Sequence, residues 1–130
     1  MRKSKILIAI LVTIVLTTSA QAKSVNYNYI NVNKIRCTCY LPTGNPTASG
    51  VYPYEGIIAS NREHLGQIAA LYTEDMELIG YFECKDTGGH KALKNGTRID
   101  VYRDSEASYK KWVKDYGDYV YIQWIESEGE

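Results

Sequence analysis

From residue 34 onward, apolar and polar positions alternate in short runs, and each run stops at a cluster of turn formers. Residues 34–40, 56–60, 67–72, 77–84, 97–102 and 118–125 read as six strands on this pattern. The polar turn Thr73-Glu74-Asp75 makes the third and fourth runs a hairpin. Residues 41–56 hold all three prolines and three glycines, which predicts a long loop. One segment has a different period. Tyr109, Trp112, Val113 and Tyr116 recur at i, i+3, i+4 and i+7 and predict a helix, with Asp104 or Ser105 as its cap and Gly117 as its stop. Six short strands and one late helix predict a mainly β domain whose strands close on themselves, because closure removes exposed edges.

The first 22 residues follow another logic. Arg2, Lys3 and Lys5 precede the apolar run 6–16, and Ala20-Gln21-Ala22 is a small-x-small cleavage pattern. A signal peptide over 1–22 and export of the chain are expected, with an uncleaved N-terminal anchor as the alternative. The apolar run is short for a membrane span, and no cysteine stands at the cleavage site to carry a lipid. Residues 23–35, rich in Asn and Tyr without a clear period, are expected to be a leader to one domain over 36–126.

The whole chain balances 15 basic against 15 acidic residues, and losing 1–22 removes three bases and no acid, leaving a formal charge of −3. Such a chain lacks the basic footprint that nucleic acid demands. Binding to a glycan would rest on hydrogen bonds and ring stacking, for which 12 tyrosines are at hand, although tyrosine is also simply a good strand residue.

The candidate chemistry lies in Cys84-Lys85-Asp86-Thr87-Gly88-Gly89-His90 and in Gly96-Thr97-Arg98-Ile99-Asp100-Val101-Tyr102. Asp86 and Asp100 flank a glycine-bearing loop. Strand interiors disfavour Asp, so Asp100 needs a reason to be there. The Gly-Gly pair permits positive φ or close approach to a ligand. Two acids held around such a loop are the raw material of general acid–base catalysis. The structural alternatives are an Asp86 side chain that caps its own turn and an Asp100 paired with Arg98 on one strand face. His90 is either a partner of Asp86 or substrate, or a solvated loop residue. His64 reads as a surface residue, and Trp112 and Trp124 as core.

Asp-Thr-Gly-Gly at 86–89, a loop, then Arg-Ile-Asp-Val-Tyr at 98–102 resembles the signature of the three-aspartate (3D) domain family, related to lytic transglycosylase A and RlpA-like proteins. Cys39-Tyr40-Leu41-Pro42-Thr43-Gly44-Asn45-Pro46-Thr47-Ala48-Ser49-Gly50 resembles the first strand and Thr-Ala-Ser-Gly loop of the same families, and the likeness spans roughly residues 36–125. It implies a six-stranded double-psi β-barrel with one helix before the last strand. It also implies catalysis by Asp86 and Asp100, and substrate contacts from Asn61, Tyr40, Thr47, Ser49, Thr87, Gly88, Gly89 and His90. No cofactor and no metal are implied. The chain departs from the pattern at Asn61, which stands where the family has its first aspartate, with Glu63 as a nearby acid. The loop between the two acids is also longer than usual, and His90 replaces a small apolar residue.

Export implies an oxidising compartment and at least one disulfide among Cys37, Cys39 and Cys84. The family's strand arrangement favours Cys39–Cys84, with Cys37–Cys84 second. The odd thiol is then buried or joins two chains. A zinc site from these cysteines and a histidine fits no common ligand spacing. Three readings of function follow. The first is a secreted peptidoglycan lytic transglycosylase cleaving MurNAc–GlcNAc β-1,4 bonds, monomeric, acting on glycan strands and spanning no membrane once the signal is cleaved. The second is a glycan-binding barrel without activity. The third is an interaction module that dimerises through the odd cysteine.

Overall fold

A computed structural model describes residues 31–125. The signal peptide expected at 1–22 and most of the expected leader lie outside the described residues. Six strands form a closed barrel: β1 (Asn33–Tyr40), β2 (Ile57–Ser60), β3 (Ile68–Tyr72), β4 (Leu78–Thr87), β5 (Arg98–Tyr102) and β6 (Tyr119–Ile125), in the spatial order β1-β5-β2-β4-β3-β6. A 3-10 turn, Arg62–His64, follows β2. A one-turn helix, α1 (Lys91–Lys94), joins β4 to β5, and the main helix, α2 (Glu106–Tyr116), precedes the last strand. The mainly β fold with one main helix before the final strand is therefore the fold expected from the sequence.

β1 runs parallel to β5 and β2 parallel to β4, while the other four neighbouring pairs are antiparallel. A mixed barrel with two parallel pairs joined by long crossings is compatible with a double-psi arrangement. Every strand has two partners, so no edge is left among the six.

Side chains alternate between the barrel interior and its outer face. Cys37, Ile58, Ala69, Leu71, Phe82, Cys84, Ile99, Val101, Val120 and Ile122 form the core with Trp112 of α2. Trp112 meets Phe82 edge-on at 5.9 Å, and the Arg103 guanidinium lies 5.3 Å from its ring centroid. Ser105 caps α2 by accepting from the Ser108 N–H, and Gly117, at φ 66°, ends it. Only part of the predicted apolar stripe is buried, because Tyr109 and Val113 remain 38% and 41% exposed. Trp124, expected in the core, is half-buried and stacks on the His64 ring at 3.8 Å.

Two boundaries differ from the sequence expectation. β1 starts at Asn33, so the last residues assigned to the leader belong to the barrel. β4 runs through Thr87 rather than stopping at Cys84, because it continues past a bulge.

Candidate functional site

That bulge places the first carboxylate. Ile58 pairs with Cys84, but the next residue of β2, Ala59, pairs with Asp86, so Lys85 is an extra residue on β4. Cys84 faces the core. Without the insertion, Asp86, two residues further on, would face the core as well. With it, Asp86 shares the outer face with Ala59. Re-aiming one side chain is a characteristic effect of a bulge. The loop 41–56 docks on it: the Ser49 N–H donates to the Lys85 carbonyl at 3.1 Å.

Asp100 reaches the same face from the other side, since Ala59 pairs with Asp100 on β5 and Asp100 with Thr38 on β1. Thr38, Asp100, Ala59 and Asp86 thus form one row across four adjacent strands. Two strand spacings on a six-strand ring, about 8 Å, separate the Cα atoms of the two acids, and Ala59 lies between them.

The acids have different partners. Asp86 Oδ1 accepts from the N–H groups of Ala48 and Thr87, both at 2.9 Å, and Oδ2 accepts from the Tyr40 hydroxyl at 3.2 Å. With a proton on Oδ2, Oδ1 still accepts from both N–H groups, and the Tyr40 contact persists with its direction reversed, because a hydroxyl can also accept. Burial, and next the Asp86 charge, push the Tyr40 hydroxyl well above the usual phenol range, so Tyr40 keeps its proton. Asp100 is held by Arg98 in a two-pronged pair, Nε to Oδ1 at 2.9 Å and Nη2 to Oδ2 at 3.2 Å, and by the Thr38 hydroxyl. The ion pair weighed as the structural alternative for Asp100 is present.

Of the other residues expected at the site, Asn61 follows β2 directly. Its Oδ1 accepts from the Glu63 N–H and caps the 3-10 turn. Its Nδ2 faces Gly96, whose φ of 77° requires glycine and where a Cβ would lie 3.3 Å from that nitrogen. Thr47 is buried, and its hydroxyl donates to the Val51 carbonyl at 2.7 Å. The Ser49 hydroxyl stands 2.9 Å from Thr47 Oγ1. These two hydroxyls shape the loop, and its contribution to the site is the Ala48 N–H. His90 Nδ1 accepts from the Ala92 N–H and caps α1.

Neither Gly88 nor Gly89 uses positive φ. A Cβ on Gly88 would lie 2.1 Å from Leu93 Cδ1, whereas one on Gly89 meets nothing within 4 Å. The first glycine is thus a packing requirement against a buried leucine. Sequence reasoning missed Ala48, because a backbone donor has no residue signature, and Thr38, whose partner is set by barrel register. A cleft of about 200 Å³ at the ends of β2 and β4 is lined by Ser60, Asn61, Arg62, Thr87, Gly88 and Lys94. A second hollow, about 230 Å³, lies along α2 at Trp112 and Tyr116.

Comparison with protein-family models, with curated proteins and with solved structures finds no match to this chain.

The three cysteines are thiols in the structure. Cys39 pairs with Val101, Val101 with Ile58 and Ile58 with Cys84, so Cys39 and Cys84 stand three strands apart in a ring of six. Strand spacings of ~4.8 Å bent into half a hexagon leave about 10 Å between their Cα atoms, beyond the ~7 Å a disulfide spans. Adjacency, on which the Cys39–Cys84 and Cys37–Cys84 expectations rested, is therefore not what the barrel provides. Burial pushes the Cys39 and Cys84 thiols up to about 11, and raises Cys37 as well. Among the described residues, no three His, Cys, Asp or Glu side chains group to hold a metal.

Proposed function

We propose that this chain is a secreted cell-wall-acting protein of the three-aspartate type, a lytic transglycosylase that cleaves the MurNAc–GlcNAc β-1,4 bond of peptidoglycan. The observation that carries the reading is the Lys85 bulge, which turns Asp86 out of the core into the same row as Asp100. The same carboxylate also anchors the loop through the Ala48 N–H and its own strand end through the Thr87 N–H, so the turn-capping role weighed for Asp86 is present beside the catalytic one proposed here.

In this reading Asp86 is the general acid. Its carboxyl gives a proton to the bridging O4 of GlcNAc as the C1–O4 bond of MurNAc breaks. The resulting carboxylate takes the proton from the 6-hydroxyl of the same MurNAc, and O6 closes on C1 to form the 1,6-anhydro ring. Proton and bond inventories balance without water, metal or cofactor. Tyr40 holds Asp86 Oδ2 in either protonation state. Asp100, tied to Arg98 and Thr38, is assigned electrostatic support of the positive charge that develops at C1.

A second reading, a glycan-binding barrel without activity, is favoured by Asn61. That residue cannot ionise, and its oxygen is already engaged in capping the 3-10 turn. Mass spectrometry of products from purified peptidoglycan separates the two. Anhydro-muropeptides from the native protein and none from Asp86→Asn are expected. Reducing-end sugars would mean hydrolysis and overturn the transglycosylase. Wall binding with no product from either protein would leave the binding barrel.

A further inference from the structure

The cleft at the ends of β2 and β4 has a lining of one chemical character. Arg62 and Lys94 enter it from the 3-10 turn and from α1, joined by the Asn61 side chain, whose oxygen is engaged and whose Nδ2 is a donor, and by the hydroxyl-bearing Ser60 and Thr87. No carboxylate lines it. Lys34, Lys85, Arg98, Arg103 and Lys111 each have an acid within 3.3 Å. Among the described residues Arg62 and Lys94 have none, as is also true of Arg36, Lys91, Lys110 and Lys114; what sets these two apart is that both line one cleft. Two unpaired cations in one small cleft repel each other, an arrangement that an anion between them relieves. At about 200 Å³ the cleft is smaller than the ~300–1,000 Å³ of a typical ligand pocket. It suits a substituent rather than a whole sugar chain.

Its position is fixed by the strands. Thr87 and Gly88 follow Asp86 on one wall, and Ser60, the partner of Thr87, opens the other. The cleft therefore lies at the ends of β2 and β4, past the proposed acid, and its Thr87 and Ser60 side chains, one residue on, turn to the other face from Asp86. Arg62 offers a planar fork matched to a carboxylate or phosphate, and Lys94 a compact charge.

We propose that this cleft is an anion subsite, which takes a carboxylate or phosphate borne by the sugar next to the bond presented to Asp86. The inference rests on the glycan reading above and narrows it to an acidic glycan. Among wall sugars the lactyl carboxylate of N-acetylmuramic acid has the required chemistry where the stem peptide that otherwise amidates it is absent, and a phosphate substituent is the other source.

The test is a calorimetric or NMR titration of protein produced from the full-length chain with N-acetylmuramic acid, N-acetylglucosamine and inorganic phosphate. The two sugars share a ring and differ in the acidic arm. N-acetylmuramic acid is expected to bind at least about tenfold more tightly than N-acetylglucosamine, a preference that fades with added salt. Arg62→Gln/Lys94→Gln should abolish the preference at unchanged thermal midpoint, since both side chains are exposed. Phosphate competing more strongly than the muramic acid would name phosphate as the anion held. Equal binding of the two sugars, or a preference intact in the double variant, would overturn the subsite. Repeating the titration with Asp86→Asn separates this inference from the catalytic one. Anion preference without wall cleavage by the native protein keeps the subsite and removes the enzyme. Cleavage without anion preference does the reverse.

Discussion

Replacing Arg98 by Gln asks how strongly the second carboxylate depends on its partner. Asp100 and Arg98 side chains are only 13% and 17% exposed, and two of the three hydrogen bonds that Asp100 accepts come from the guanidinium. Arg98→Gln leaves a mostly buried carboxylate with the Thr38 hydroxyl and little else. Breaking a buried pair by removing one partner costs about 3–5 kcal/mol, while an exposed pair is worth about 1 kcal/mol or less. The residual exposure places this pair toward the lower end of the buried range, about 3 kcal/mol. Asp100→Asn still accepts from Arg98 but leaves the cation uncompensated, about 2 kcal/mol. In Arg98→Gln/Asp100→Asn neither charge is stranded, and the two amides can bond to each other. The double variant should therefore lose only about 2 kcal/mol, a coupling of about 3 kcal/mol. Urea unfolding measures this directly. With a slope of about 1–3 kcal/mol per molar, Arg98→Gln should lower the midpoint by about 1–3 M. Additive single effects, with coupling below about 0.5 kcal/mol, would refute the reasoning and show Asp100 to be effectively solvated.

Other outcomes follow from the same geometry. Gly88→Ala must displace buried Leu93 and should cost about 1–3 kcal/mol, whereas Gly89→Ala should stay within about 0.5 kcal/mol, both read by thermal or urea unfolding. Tyr40→Phe removes one hydrogen bond from Asp86 and should destabilise by about 1 kcal/mol. Under the proposed mechanism it also lowers anhydro-muropeptide yield with less effect on wall retention. Cys39 and Cys84, raised to about 11 by burial, hold their protons longer in the folded chain than an unfolded thiol near 8.5 does. The folded state thus binds more protons between those values, so stability should decline as pH rises from about 8.5 to 11. Thiol alkylation of the native protein should be slow at pH 8 and accelerate steeply toward pH 11. A flat stability profile across that window would contradict the burial of these thiols.

Alternation made the strands legible, and the spacing from Tyr109 to Tyr116, with Ser105 before it and Gly117 after, made the helix legible. These are local signals. What stayed hidden depends on pairing between distant segments. Lys85 looks like any strand residue until Ala59 and Asp86 are seen to pair across it. The Gly88-Gly89 pair suggests backbone freedom, but its need is the space occupied by Leu93, five residues on. Asn61 and His90 look like free functional groups, whereas each has a side-chain atom engaged in capping the turn that follows it. The cysteine pairing was inferred from nearby strands, and only the order of strands around the ring shows Cys39 and Cys84 on opposite walls.

The closure of the barrel has a kinetic consequence. β3 and β4 are a local hairpin and can form early, but β1 must find β5 and then β6 from the far end of the chain. The Thr38–Asp100 contact spans 62 residues and that between Tyr40 and Asp86 spans 46. Non-local pairings of this kind form slowly, because loop-closure entropy is lost before contacts repay it. The row of side chains at the site is consequently complete only once the first strand has docked. Any intermediate that lacks β1 holds Asp86 without its tyrosine and Asp100 without its threonine, so the site cannot mature before this non-local docking.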